Sequence, residues 1–187
     1  MLEIKFKELT AETWNNFEKL FGERGACGGC WCMYWRLRNK DFENEKGSGN
    51  KKAMKKLVKN KEQIGILMYL DNEPIGWCSV APREDFVRLE NSKILRPIDD
   101  KPVWSIVCFF IHKKYRRKGY SVEMLKGVIE ITKNKSVKIL EGYPNESKKD
   151  NIPAAFAWTG IASAFTKVGF KEVTRRSDTR PILRYYF

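Results

Sequence analysis

With 187 residues, the chain has room for one domain, with at most a small appended lobe. Its 42% hydrophobic and 13% aromatic content supports a real core and excludes a disordered chain, and no apolar stretch reaches the length of a membrane span. The formal net charge of +13 admits nucleic acid, an anionic surface, an anionic small ligand or a drift towards lysine.

The clustering of charge says more than its total. Arg and Lys gather at 113–118 and at 175–184, and a lysine-rich helix face spans 50–61. The opening MLEIKFKELT lacks the apolar core of a signal peptide. Five cysteines, an odd number, suit a reducing compartment that leaves them free. The expectation is a soluble cytoplasmic protein.

Leu2, Ile4 and Phe6 alternate with polar neighbours and predict a first strand. Thr10 is placed to cap a helix carrying Trp14, Phe17, Leu20 and Phe21 on one face. Residues 22–49 read as irregular: Gly-rich, then Trp/Cys-rich, then GSGN. A helix over 51–60 has Ala53, Met54, Leu57 and Val58 on one side. A hairpin follows, with Ile64–Leu70 and Ile75–Val80 as strands and Asp71-Asn72-Glu73-Pro74 as the turn.

Residues 82–102 read as a loop with a short helical piece. The run 103–111 is apolar on both faces, as in a central strand. Gly119–Lys135 reads as a helix facing inward through Val122, Leu125, Val128 and Ile129. Val137–Glu141 is a short strand, and 142–153 is a surface loop long enough for a functional role. Ile161, Ala164, Phe165 and Val168 predict a helix capped by Gly169, and Phe170–Thr174 and Ile182–Phe187 are closing strands. The order is α/β, with antiparallel hairpins and at least one parallel crossover.

The chemistry concentrates where the apolar strand runs into Lys113-Lys114-Tyr115-Arg116-Arg117-Lys118-Gly119-Tyr120-Ser121. A helix N-terminus exposes free N–H groups and partial positive charge. A glycine there lets the main chain approach a ligand, and surrounding Arg and Lys suit a pyrophosphate. A solvated basic loop is the alternative. Neither the Walker pattern G-x-x-x-x-G-K-S/T nor G-x-G-x-x-G is present.

Arg116-Arg117-Lys118-Gly119-Tyr120-Ser121 resembles the Q/R-x-x-G-x-G/A signature of the GNAT superfamily of N-acetyltransferases. Phe109-Phe110-Ile111-His112 is similar to that family's strand before the turn. Phe165-Thr166-Lys167-Val168-Gly169-Phe170 resembles its L-Y-x-K-x-G-F helix end. The element order matches over roughly 2–187, the motifs over about 103–173. The resemblance implies a single domain over 1–187, with a mixed, mostly antiparallel central sheet flanked by helices and splayed central strands. It implies 22–49 as a Cys/Trp-rich insertion on the acceptor side. Acetyl-CoA or another acyl-CoA would bind through Arg116, Arg117, Lys118, Gly119, Tyr120 and Ser121. Its pantetheine arm would lie along Phe109, Phe110 and Ile111, bonded to main-chain groups near Phe109 and Ile111. The thioester would enter between that strand and 137–141.

Three departures stand out. Ser121 replaces the family's Gly or Ala. Phe165 stands where many members have a tyrosine acid. The strand 103–111 has no glutamate, only Ser105 and Cys108 as polar groups. Direct transfer needs a base or a water chain to take the amine's proton. Glu141 is the first candidate base, or else a rim carboxylate attracting a cationic acceptor. Tyr143 is the candidate acid. Tyr120 is expected to pack on the cofactor or its helix, and His112 to have a structural or cofactor-edge role.

Cys27-Gly28-Gly29-Cys30-Trp31-Cys32-Met33-Tyr34-Trp35-Arg36 offers three thiolates where tetrahedral zinc wants four ligands, so no metal is assigned. A redox or covalent thiol and a packed aromatic segment are the other readings. Trp31 and Trp35, spaced for one helical face, are expected to form a hydrophobic or cation-binding wall for the acceptor. The leading function is acetyl transfer from acetyl-CoA to a primary amine of a small molecule or peptide. A non-catalytic CoA sensor is the second reading and a nucleic-acid-binding module the weaker third. No membrane partner is expected, and a homodimer is left open.

Overall fold

The computed structural model describes residues 3–146 and 157–187. Strand β1 spans Ile4–Glu8, and helix α1, Trp14–Phe21, buries Trp14, Phe17, Leu20 and Phe21, the stripe its spacing predicts. The residue before the helix is Thr13, not Thr10. Its hydroxyl accepts the Thr10 N–H at 2.8 Å and donates to the Glu8 carbonyl at 2.8 Å, closing the strand-to-helix turn instead of capping helical amides. Within 22–49 lies a short helix the sequence did not announce, α2 (Asn39–Asn44). Helix α3 (Ser48–Lys59) follows, burying Met54 and Val58.

Strands β2 (Gly65–Leu70) and β3 (Glu73–Pro82) form the expected hairpin. Its turn is only Asp71 and Asn72, at φ 47° and 66°, a left-handed pair that suits the twist of the flanking strands. Glu73 and Pro74, expected in the turn, open β3 instead, and the ladder skips Ile75 beside Pro74. After α4 (Val87–Glu90) come β4 (Trp104–Ile111), α5 (Tyr120–Lys133), β5 (Ile139–Gly142), α6 (Ala162–Lys167), β6 (Lys171–Arg175) and β7 (Pro181–Tyr186). Gly169 ends α6 at φ 98°, its N–H on the Thr166 carbonyl at 3.1 Å.

The seven strands order as β1-β2-β3-β4-β5-β7-β6. Only β4 and β5 pair in parallel, across α5; every other neighbour is antiparallel. This is the mixed, mostly antiparallel sheet expected, with β4 at its centre. Both faces are covered, so its central strands are apolar throughout. On one face α5 and α6 bury Met124, Leu125, Val128 and Phe165 against Met68, Cys78, Ile106 and Phe109. On the other, α1, α3 and the segment around Trp31 bury Phe17, Phe21 and Met54 against Leu67, Tyr69 and Trp77. A third cluster joins Trp35, Phe86, Leu89 and Leu95 to Val107, Tyr143 and Ile182 on that second face. No helix of the described residues is long and apolar enough to cross a membrane.

Two features of β4 open the sheet. Its parallel pairing with β5 covers Trp104↔Leu140, Ser105↔Glu141 and Ile106↔Gly142 and then stops, although β4 runs on to Ile111. At that point the β3 ladder steps from Ser79↔Cys108 to Val80↔Ile106, leaving Val107 as an extra residue. Such a bulge bends its strand, and β4 parts from β5 where this one sits.

Candidate functional site

The basic turn follows directly. Lys113–Tyr115 makes one tight turn, anchored by Tyr115, which is buried and donates its hydroxyl to Glu73 at 2.7 Å. Arg117 (φ 60°) and Gly119 (φ 82°, ψ −5°) both take the left-handed conformation, and α5 begins at Tyr120. A β-carbon on Gly119 would meet nothing within 4 Å. Glycine is therefore suited to the position by its φ, and the space beside it is open.

The Val122 and Glu123 amides bond back to the Gly119 carbonyl. Those of Gly119, Tyr120 and Ser121 are the helix's free donors. Around them Arg116, Arg117 and Lys118 are exposed. The Arg116 Nε donates to the Ile111 carbonyl at 2.8 Å, which ties the turn to the end of β4.

The open edge of β4 supplies a second set of main-chain groups, of which the Ile111 carbonyl is the one already held by Arg116. His112 donates its N–H to the Ile75 carbonyl at 2.9 Å, so that residue faces β3. Main-chain groups in an antiparallel pair alternate between partner and opposite edge. Ile111 and Phe109 therefore turn their N–H and C=O away from β3, towards the divergence from β5. The Phe109 side chain meets the Phe165 ring edge-on at 5.7 Å, while Phe110 points to the other face, 5.4 Å from Phe21. Phe165 is fully buried, and a β-carbon at Gly142, the last residue of β5, would lie 2.2 Å from its Cε1. The ring thus stands between the diverging strands on the α5–α6 face.

On the opposite face, Ser105, Glu141, Tyr143, Arg83 and Arg184 form one buried network. Glu141 accepts the Tyr143 hydroxyl at 2.6 Å and Arg83 Nη1 at 3.3 Å on Oε1, and Arg184 Nε at 2.7 Å on Oε2. Tyr143 also accepts from Arg83 at 2.6 Å and lies 2.8 Å from the Ser105 hydroxyl. Burial, then the Glu141 charge, pushes the Tyr143 phenol well above its ordinary pKa.

Glu141 is 1% exposed and Tyr143 0%. The oxygens of the candidate base and the candidate acid are thus engaged with each other and with Arg83, Arg184 and Ser105 inside one buried cluster. Arg83 and Arg184 escaped the sequence reading. The one available signal for Arg184 was a lone cation inside the apolar closing strand.

The Cys/Trp segment divides. Trp31 is 3% exposed, stacked on Phe21 at 5.8 Å, with the Lys51 ammonium 5.0 Å from its ring centre. It is a core residue and does not wall an acceptor site. Trp31 and Cys32 sit at φ 42° and 60°, which breaks any helix between positions 31 and 35. Trp35 therefore packs in a different cluster, with Val107 and Tyr143.

Cys27 is exposed and Cys30 half-buried. Cys32 is buried and accepts the Trp77 indole N–H at 3.1 Å. Hydrogen bonding from Cys108 lowers the Cys32 pKa against its burial. Among the described residues, no group of three or more His, Cys, Asp or Glu is placed to hold a metal. Most of the 142–153 loop lies outside the described residues.

Trp35 also lines a cleft of about 660 Å³ with Tyr34, Arg38, Arg88, Leu95 and Arg180. The Trp158 ring closes on it, 5.7 Å from Trp35 and 5.1 Å from Tyr34. The indole N–H of Trp35 has no partner among the described residues.

A strand that parts from its neighbour and ends in a glycine turn at a helix N-terminus is the geometry the sequence motif anticipates. The family model for acetyltransferases of the GNAT family matches residues 31–157, well over half of the chain. The chain belongs to the GNAT acetyltransferase family. Comparison with curated proteins found no match.

Solved structures share this GNAT fold across nearly the whole chain. The PaiA N-acetyltransferase of Thermoplasma acidophilum, in complex with coenzyme A, aligns with TM-score 0.53 at 14% identity, covering 99% of each chain. A GNAT-family acetyltransferase of Streptococcus agalactiae aligns with TM-score 0.57 at 12% identity, covering 98% of this chain and 95% of its own. The aminoglycoside acetyltransferase AAC(6')-Ib, also in complex with coenzyme A, aligns with TM-score 0.52 at 16% identity, covering 98% and 95%.

Proposed function

We propose that this GNAT domain, read as one unit over 1–187 with 22–49 on the acceptor side, transfers an acetyl group from acetyl-CoA to a primary amine by direct attack. One observation carries the reading: the free amides at Gly119–Ser121 lie at the end of β4, whose edge is left unpaired past Ile106. The first set suits a pyrophosphate, which helix N-termini and Arg side chains bind well. The second suits the amide-bearing pantetheine arm. Neighbours of the same fold bind coenzyme A, which supports the fit.

In this reading Arg116, Arg117 and Lys118 neutralise the phosphates, with Gly119, Tyr120 and Ser121 donating main-chain bonds. Phe109 and Ile111 align the arm by their backbone, and Phe110 braces the strand from the other face. Bound acetyl-CoA supplies the activated acyl thioester. Phe165 fills the divergence between β4 and β5 and keeps water from that side of the reacting carbon. The Glu141–Tyr143–Arg83–Arg184 network acts by position: it fixes Ser105 and Glu141 at the last paired rungs and so fixes where the strands part. With Glu141 held between two guanidiniums, the amine's proton leaves through water.

A non-catalytic CoA sensor is the second reading. The observation favouring it is the same closed network, together with a phenylalanine at position 165. Calorimetry with acetyl-CoA, ATP and a short oligonucleotide at two salt concentrations, followed by thiol release on an amine panel, separates the cases. Selective acetyl-CoA binding with amine-dependent thiol release upholds the transferase. Binding without turnover on any amine leaves the sensor. Salt-steep oligonucleotide binding without acetyl-CoA binding overturns both.

A further inference from the structure

The cleft beside Trp35 has a charge pattern the proposed transfer does not by itself require. Among the described residues three guanidiniums line it, from Arg38, Arg88 and Arg180, and no carboxylate does. The fully buried guanidiniums pair with acids: Arg36 with Asp85, Arg83 with Glu90 and Glu141, Arg184 with Asp99 and Glu141.

Arg88 and Arg180 are half-buried without an acid among the described residues. Arg88 donates Nε to the Leu37 carbonyl at 3.0 Å and Nη1 to the Asn39 side chain at 3.2 Å, and lies flat on the Tyr34 ring at 3.9 Å. Its Nη2 has no partner there. Arg180 donates to the Thr159 hydroxyl at 3.0 Å, and burial lowers its pKa. Arg38 stands exposed on the rim. Neutral acceptors thus hold two of the three in place and leave their charge uncompensated, as a site for an anion requires.

The inner wall leads to the gap. Trp35 and Leu95 line the cleft and also belong to the buried cluster of Val107 and Tyr143. Val107 is the bulged residue of β4 where β5 parts from it. The Tyr34 and Trp158 rings pack on Trp35, at 5.2 and 5.7 Å.

We propose that the acceptor is an amine that also carries an anionic group, carboxylate or phosphate, which Arg88 and Arg180 hold while the apolar body lies on the three rings. This rests on the transferase reading and specifies its substrate class. It replaces the cationic acceptor that an aromatic wall alone would suggest: a polyamine would bring positive charge to three uncompensated guanidiniums.

The test uses matched amines with purified full-length protein and acetyl-CoA. L-phenylalanine is compared with L-phenylalaninamide, and phosphoethanolamine with ethanolamine, by thiol release. The same four are titrated into protein saturated with coenzyme A. The anionic member of at least one pair should exceed its neutral partner about tenfold in kcat/KM or in affinity, the scale of one charge-assisted bond. The pair that responds identifies carboxylate or phosphate as the source. Arg180→Gln should collapse that ratio through KM and Arg180→Lys restore part of it, whereas Lys126→Gln, on the exposed side of α5 across the sheet, should leave it intact. Equal or better handling of the neutral members, or a ratio that survives Arg180→Gln, overturns the assignment. An anionic preference in binding with no turnover of any amine upholds the cleft and defeats the transferase reading instead.

Discussion

The Phe165 ring reaches Gly142 so closely that a β-carbon there would sit 2.2 Å from its Cε1. The contact joins α6 to the last residue of β5, where the parallel ladder with β4 ends. Gly142→Ala must displace a fully buried ring packed on Phe109 and Phe170. Overpacking of this kind costs about 1–3 kcal/mol, a fall in Tm of roughly 2–12 °C for a chain of this size. Thermal melts should show it, together with weaker acetyl-CoA binding if the ring closes the gap. An unchanged Tm would mean that Phe165 moves aside freely.

Gly119 tests the phosphate assignment from the opposite direction. Its φ of 82° strains any other residue, but a side chain would meet nothing within 4 Å. Gly119→Val should therefore cost about 1–3 kcal/mol in stability, from backbone strain alone. Acetyl-CoA affinity should fall at least tenfold as the branched side chain fills the space beside the free amides. Calorimetry that finds the affinity intact would remove the turn from the binding site.

Glu141 separates position from proton transfer. Among the described residues it is the one carboxylate shared by Arg83 and Arg184, both buried. Removing one partner of a buried ion pair costs about 3–5 kcal/mol. Glu141→Gln should lower the urea midpoint accordingly, while the pH profile of amine-dependent turnover keeps its shape. A stable variant that loses the acidic limb of its pH–rate profile would return Glu141 to the role of base.

What the sequence made legible follows from how local each signal is. The apolar run 103–111, the glycine before α5 and the glycine after α6 are each set by neighbours in the chain, and all three stand where expected. Thr10 fits a cap by sequence, but Thr13 precedes the helix, and only the fold reveals that its hydroxyl meets the Glu8 carbonyl. The pairing of Trp31 with Trp35 assumed a helix, which positive φ at Trp31 and Cys32 prevents. Glu141 read as an open carboxylate because its partners lie 58 and 43 residues away. The cleft beside Trp35 was illegible for the same reason: Arg88 and Arg180 meet Tyr34 and Trp35 only through the tertiary fold.

The thiols should react in the order of their surroundings. Cys27 is exposed, whereas burial pushes the Cys30 thiol up to about 11, and Cys32 and Cys78 are buried. The thiolate is the nucleophile. Iodoacetamide at pH 8 should label Cys27 first in native protein, with Cys30 following only as the pH approaches 11. Peptide mass spectrometry reads the order. Early labelling of Cys30 or Cys32 would mean that the 25–32 turn opens.

Asp99 and Arg184 give a pH test with a defined sign. Arg184 donates to both Asp99 oxygens at 2.7 and 2.9 Å, and these bonds hold the Asp99 pKa below its ordinary value. A carboxylate whose pKa drops on folding stabilises the fold above its unfolded value, about 3.9. That contribution disappears as the pH falls through the lower folded value. Asp99 is partly open to water, so screening limits it to about 1 kcal/mol. In urea melts from pH 6 down to pH 2.5, Asp99→Asn should be the less stable protein at pH 6, and the difference should close as the acid is protonated. A gap that stays constant across the range would show that the bond geometry, not the charge, is what Asp99 contributes.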